Sequence, residues 1–181
     1  GKTINLAWLL RKIDALEGKF RIRFVTSYPT DITDELIDTV IELDKVCEYF
    51  HIPMQHGDDY TLKKMNRKYD YATYKRIADH VRNRVKDVTM TSDFIAGFPG
   101  ETEEQFQNTL KLVEEVGFEG AFTFIYSPRE GTPAAKYENP LTEEEKHDRL
   151  NRLVEKTNQG YLKGHERFLG SVVNVLVDGP S

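Results

Sequence analysis

Ser92-Asp93-Phe94-Ile95-Ala96-Gly97-Phe98-Pro99-Gly100-Glu101-Thr102-Glu103-Glu104 reads as a buried strand that ends in a glycine-punctuated loop and feeds a capped helix. Thr102 and Gln105 have capping-box spacing, with acids in the first turn where the helix dipole favours them. Gly97 and Gly100 bracket Phe98-Pro99, so the backbone can turn sharply and a flat ligand can approach it closely. Parallel α/β folds hold their ligands at the C-terminal ends of strands. This loop is therefore the first place to look for function.

Strand and helix alternate on either side of it. Arg21 to Ser27 is β-prone and stops at Tyr28-Pro29, and Thr33 caps a helix with Leu36, Ile37, Val40 and Ile41 on one stripe. Glu48 to Ile52 is a second strand, ended by Pro53. Asp58 or Asp59 opens a short helix, and Tyr74, Ile77, Ala78, Val81 and Val85 mark a longer one. Val88 to Ile95 is the third strand. The helix after it buries Phe106, Leu110 and Val113 and ends at Gly117, and Ala121 to Tyr126 is the fourth strand. Strands separated by helical crossovers predict a parallel sheet with right-handed connections. A helix over Ile4 to Leu16 precedes them, so the chain opens in mid-pattern. The expected fold is α/β, a partial parallel (βα) barrel of about four strands. Beyond Pro140, Thr142 and Glu145 form a second capping box, opening a long charged helix with Leu150, Leu153, Val154 and Tyr161 on one side. Ser171 to Gly179 then alternates as a lone strand, the first of a separate β-rich domain. Residues 1–168 are thus assigned to the barrel and 169–181 to the second domain.

Charged residues make up 30% of the 181 and hydrophobic ones 39%, the composition of a globular domain. No apolar run approaches a membrane span. The net charge of −5 argues against a general nucleic-acid binder, but from Lys63 to Lys86 nine Lys/Arg stand against two Asp. That sector reads either as a solvated helix face or as an RNA-phosphate surface. The one cysteine, Cys47, forms no intrachain disulfide and reads as a small core residue, with a reducing cytoplasm as its natural setting.

In a parallel sheet four loops share one rim: Thr26 to Pro29, Met54 to Asp58, the glycine loop, and Ser127 to Pro133. They offer hydroxyls, an amide, an imidazole, carboxylates and an arginine, without a metal-spaced cluster, a nucleophile–base pair or a P-loop. Such groups suit orientation of a multifunctional small molecule, with a cofactor supplying the difficult chemistry. Gln55 and His56 read as ligand contacts or as loop-stabilising hydrogen bonds. His51, between Phe50 and Ile52, reads as structural. Asp93 needs a partner inside its apolar strand, a helix N-terminus or a ligand hydroxyl. Glu101 either contacts ligand or favours its helix end, and Arg129 either binds an anion or braces its loop.

Four stretches together resemble the radical S-adenosylmethionine methylthiotransferases, on their tRNA-modifying branch. They are Arg23-Phe24-Val25-Thr26-Ser27-Tyr28-Pro29, His51-Ile52-Pro53-Met54-Gln55-His56-Gly57, Ser92 to Glu104, and Phe122 to Ala135. Arg129 and Thr26-Ser27 favour that branch over the one that modifies a ribosomal protein. The resemblance implies a transferase that installs a methylthio group at carbon 2 of an isopentenylated adenosine beside the anticodon. It also implies S-adenosylmethionine, two [4Fe-4S] clusters, sulfur and electron donors, a partial (βα)6 barrel, and an RNA-binding TRAM domain opening at Ser171. The cofactor contacts it implies are Thr26, Ser27, Gln55, His56, Ser92, Asp93, Gly97, Phe98, Pro99, Gly100, Glu101 and Tyr126. Lys63, Lys64, Arg67 and Arg129 are the candidates for the tRNA side.

The cysteines that such clusters need, a C-x-x-x-C-x-x-C loop and three more, are absent from this sequence. The expectation is a C-terminal part of the barrel, inactive and cluster-free by itself, with no catalytic or metal-ligating residue of its own. An exposed strand edge suits pairing of two copies. The alternatives are methylthiolation of a ribosomal protein or of threonylcarbamoyl-adenosine, an unrelated (βα)-barrel lyase using His56 and Asp93 as acid and base, and a cluster-less RNA-binding module.

Overall fold

The computed structural model describes residues 4–25, 27–177 and 179. Strands β1 (Tyr49–His51), β2 (Thr89–Ala96) and β3 (Gly120–Ile125) form one parallel sheet in the order β1-β2-β3. Among the described residues six α-helices accompany them: α1 (Leu6–Asp14), α2 (Asp34–Glu42), α3 (Asp59–Lys64), α4 (Tyr71–Arg84), α5 (Glu103–Val116) and α6 (Glu143–Glu166).

Local chemistry sets these boundaries. Asn5, Thr33, Asp58 and Asp70 each accept a backbone N–H of the first turn that would otherwise lack a partner. Both expected capping boxes form, Thr102 with Gln105 and Thr142 with Glu145. α5 stops at Gly117, whose φ of +65° is one that glycine adopts without strain.

Three expectations need correction. The described residues of Arg21 to Ser27, all but Thr26, make a discontinuous edge rather than a strand. Ile22 bridges Val46 in parallel, and the Ser27 N–H donates to the His51 carbonyl (3.0 Å), but Val25 between them faces solvent. On α6 the buried side chains are Arg149, Leu153 and Thr157, one face at i, i+4 and i+8, while Tyr161 is half exposed. Ser171 to Val177 forms no strand, because a strand needs a ladder and none of the described residues offers one; Val172, Val175 and Val177 are exposed. Asp178 of that expected strand lies outside the described residues.

Along β2 burial alternates at every residue. Met90, Ser92, Phe94 and Ala96 face the helices, where Phe50, Phe106, Leu112, Val113, Phe118 and Leu153 complete the core. Thr89, Thr91, Asp93 and Ile95 face the other way. The register sets His51 beside Thr91 and Asp93 beside Phe122, so one face of the sheet carries packing and the other carries polar and aromatic side chains.

Candidate functional site

All three strands run in one direction, so the segments after His51, Ala96 and Ile125 meet at one end of the sheet. A cleft of about 1010 Å³ opens there, at the upper end of the range for small-molecule sites, about 300–1,000 Å³. Eight of the expected residues line it: Gln55, Asp93, Phe98, Tyr126, Lys63, Lys64, Arg67 and Arg129. Ile95, Phe124 and Tyr137 join them.

Gln55 owes its place to a backbone return. After Pro53 the chain leaves β1, then re-enters the ladder: the Gln55 N–H donates to the Asp93 carbonyl (2.8 Å) and its own carbonyl accepts from Ile95 (2.9 Å). Its φ of +73° is unusual for a residue with a side chain, and the two ladder bonds hold it there. Beneath it, the Tyr69 hydroxyl is shared between the Pro53 and Met54 carbonyls (3.1 Å each), and burial pushes that phenol up to about 12.

Aromatic rings build one wall. Phe98 stands edge-on to Tyr126 (5.0 Å between ring centres) and to Tyr137 (6.4 Å). Lys64 lies over the rings of Tyr60 and Tyr137. Two buried polar atoms in the cleft have no hydrogen-bond partner among the described residues, Arg67 Nε and the Tyr126 hydroxyl. Burying such groups unpaired is costly, so both are suited to a ligand.

Other expected contacts turn out to be scaffold. His56 is fully buried. The Asp58 N–H donates to its Nδ1 (3.1 Å), so Nε2 carries the proton and donates to Glu101 Oε1 (2.8 Å). Glu101 is buried as well, and its Oε2 accepts from the Gly97 N–H (2.6 Å) and from Arg149 Nη1 (2.8 Å). That network fixes the glycine loop from behind, and His56 and Asp93 do not form an acid–base pair across the cleft. The Ser92 hydroxyl, on the packing face, accepts the Met54 N–H (2.9 Å). Period two forbids Ser92 and Asp93 from both reaching the cleft. Gly97, Pro99 and Gly100 shape the turn that carries Phe98, with φ of +72° at Gly97 and +77° at Gly100. Ser27 is buried beside β1, and Thr26 lies outside the described residues.

Much of the basic sector is neutralised. Arg82 pairs with Glu119, Arg84 with Asp34 and Asp38, and Lys75 with Asp79. Lys63, Lys64 and Arg67 instead turn to the cleft. Sequence reasoning missed Arg149, since a basic residue in a charged helix carries no sign of burial. Among the described residues no group of His, Cys, Asp and Glu could hold a metal ion, and no helix is long and apolar enough to cross a membrane.

The Radical SAM superfamily description matches residues 3–113. The chain is 49% identical over 178 residues to the tRNA-2-methylthio-N(6)-dimethylallyladenosine synthase of Clostridium perfringens (strain SM101), covering 98% of this chain and 40% of that protein. It is 48% identical over 185 residues to the protein of the same name from Alkaliphilus oremlandii, covering 100% of this chain and 39% of the relative. The chain thus spans about two fifths of the length of these curated relatives. Among solved structures, the coproporphyrinogen III oxidase HemN of Escherichia coli, described as a radical SAM enzyme, superposes with a TM-score of 0.61 at 21% identity, over 75% of this chain and 31% of that one. Its likeness bears on the fold alone, and agrees with a partial barrel. Radical SAM proteins use S-adenosylmethionine with iron–sulfur chemistry, and a cleft with a free guanidinium, a carboxylate, an amide and an aromatic wall is chemically matched to that cofactor. By its match over more than half its length, and by the parallel strands that carry this cleft, the chain belongs to the radical SAM superfamily.

Proposed function

We propose that the chain is the cofactor-binding part of a tRNA methylthiotransferase that places a methylthio group on carbon 2 of N6-isopentenyladenosine at position 37, beside the anticodon. The names of the relatives support the substrate. One observation carries the site: Arg67 Nε and the Tyr126 hydroxyl are buried in the cleft without partners, with Asp93 and Gln55 on the same lining.

S-adenosylmethionine presents a carboxylate, a ribose diol and an adenine ring. Arg67 is a partly buried cation, its Nε enclosed and without a partner among the described residues, suited to the carboxylate. Asp93, a carboxylate pointing away from the core, accepts from ribose hydroxyls, and Gln55 adds an amide beside it. Phe98 and Tyr126 wall the adenine and keep water from it. Lys63, Lys64 and Arg129 stand at the mouth, where tRNA phosphates would approach. In the whole protein the bound cofactor would, on one-electron reductive cleavage to methionine, supply 5′-deoxyadenosyl radical chemistry.

The residues of this chain do not fit a cluster. Its one cysteine, Cys47, precedes the first residue of β1, at the end of that strand away from the cleft. Two [4Fe-4S] clusters, sulfur and electron donors, a TRAM domain after residue 169 and a cytoplasmic setting belong to this proposal for the whole protein.

Two measurements test the reading. Equilibrium dialysis of S-adenosylmethionine against the chain should show binding that Asp93→Ala weakens at least tenfold; equal affinity of the two proteins would remove Asp93 from the site. Nucleoside mass spectrometry on a strain lacking the full gene should show N6-isopentenyladenosine without its methylthio group. Loss of the methylthio group from a ribosomal protein or from threonylcarbamoyl-adenosine would reassign the substrate.

A further inference from the structure

The open face of the sheet carries a row of polar groups that the cleft does not explain. The Tyr49 hydroxyl meets Thr91 Oγ1 (2.7 Å), and Thr91 Oγ1 meets His51 Nδ1 (2.9 Å). His51 Nε2 then lies 3.2 Å from Asp93 Oδ1. His51 is 5% exposed and its ring stands edge-on to Phe122, 5.9 Å between centres, so it has little room to turn.

The polarity of the row follows from its end. A carboxylate only accepts, so the nitrogen facing Asp93 carries its proton. With the proton on Nε2, Nδ1 accepts from the Thr91 hydroxyl, and Thr91 in turn accepts from Tyr49. The reverse order sets the Nε2 lone pair against the Asp93 carboxylate. The Thr91 hydroxyl then gives one proton and takes one, while the Tyr49 hydroxyl gives one, from β1 to β2 and back.

The geometry points to His51 as the positioning residue of Asp93: its Nε2–H, oriented by Thr91 and Tyr49, holds Oδ1 and leaves Oδ2 to meet a ribose hydroxyl in the cleft. This rests on the reading of Asp93 as a ribose ligand. The 3.2 Å contact is not aligned as a hydrogen bond here, and a diol that draws the carboxylate into line would complete it, as polar contacts at such sites commonly tighten on binding.

Two readouts test it on the whole chain. Long-range proton–nitrogen NMR of the imidazoles reads the tautomer directly, and His51 should appear as the Nε2–H form at neutral pH; an Nδ1–H form would overturn the inference whatever the ligand. Dialysis of S-adenosylhomocysteine and of its 2′-deoxyribose analogue gives the preference for the ribose hydroxyl. Gln places an amide N–H near the Nε2 position and Asn places it near Nδ1. His51→Gln should therefore keep the preference within about threefold, and His51→Asn should lose most of it. Equal preference in both variants and wild type would overturn the positioning role. Loss in both would mark His51 as general packing and overturn it too. If Asp93→Asn leaves the preference unchanged, the ribose reading of Asp93 itself fails, a separate outcome.

Discussion

Arg149 grips Glu101 twice, its Nη1 donating to the backbone carbonyl (2.9 Å) and to the carboxylate Oε2 (2.8 Å), across 48 residues of sequence. Both side chains are buried, so the first turns of α6 and the turn of the glycine loop are one unit. Every proton around the carboxylate points inward, from His56, Gly97 and Arg149.

Glu101→Gln should destabilise the chain strongly although its shape is kept. The new amide presents hydrogens where Glu101 only accepts, and Arg149 is left buried with only the longer ionic contact from its Nε to Glu103 Oε2 (3.8 Å). The expected loss is about 3–5 kcal/mol, measured by urea unfolding. A loss under about 1 kcal/mol would mean that the network does not brace the loop.

Gly160 sits on α6 where that helix crosses the turn into β3, and a Cβ there would run into the Phe118 carbonyl oxygen. A backbone atom cannot step aside as a side-chain tip can. Gly160→Ala should cost about 1–3 kcal/mol, although alanine favours helix by about 1 kcal/mol. A raised melting temperature would contradict the close approach.

Arg67→Ala should weaken S-adenosylmethionine binding by more than tenfold while leaving the urea midpoint nearly unchanged, because its Nε has no protein partner to lose. Arg67→Lys should restore part of the affinity, keeping the charge without the planar fork. Full affinity in Arg67→Ala, read by dialysis, would place the carboxylate elsewhere.

Alkali should separate two kinds of tyrosine. Burial raises the Tyr69 phenol from 10.0 to about 12 and pushes Tyr74 up further. The unfolded chain loses these protons near pH 10 and the folded chain holds them longer, so their stabilising effect is present below pH 10 and is lost as pH rises towards 12. Phenolate absorbance should rise late for Tyr69 in the native chain, and urea midpoints should fall over that interval. For Glu103, which the Arg152 hydrogen bond holds below its usual 4.5, the sign is opposite. Its contribution is present above pH 4.5 and disappears as pH falls through the lowered value.

The sequence makes the fold legible wherever a local rule governs it. Capping boxes, the terminal glycine of α5 and the 3–4 spacing of α4 depend on neighbours in the chain, and each element stands where those rules put it. The cleft is legible to the level of its loops, because parallel strands bring their ends together. What stays hidden is direction. Nothing in Gln55-His56 says that one side chain faces the cleft and the other the core, and the left-handed φ of Gln55 that divides them arises from pairing with β2. Arg149 shows the same limit, since its partner lies on another element.

The strict alternation along β2 divides tolerance to change as well as space. At 90, 92, 94 and 96 a new side chain must fit a closed core, and most replacements there will appear as less folded protein. At 91, 93 and 95 it meets the half-open polar face and its row of hydrogen-bonding neighbours, and replacements will appear more often as folded protein with altered binding. Chemical specificity can therefore drift along one strand, at every second position, while the fold that carries it stays under separate selection.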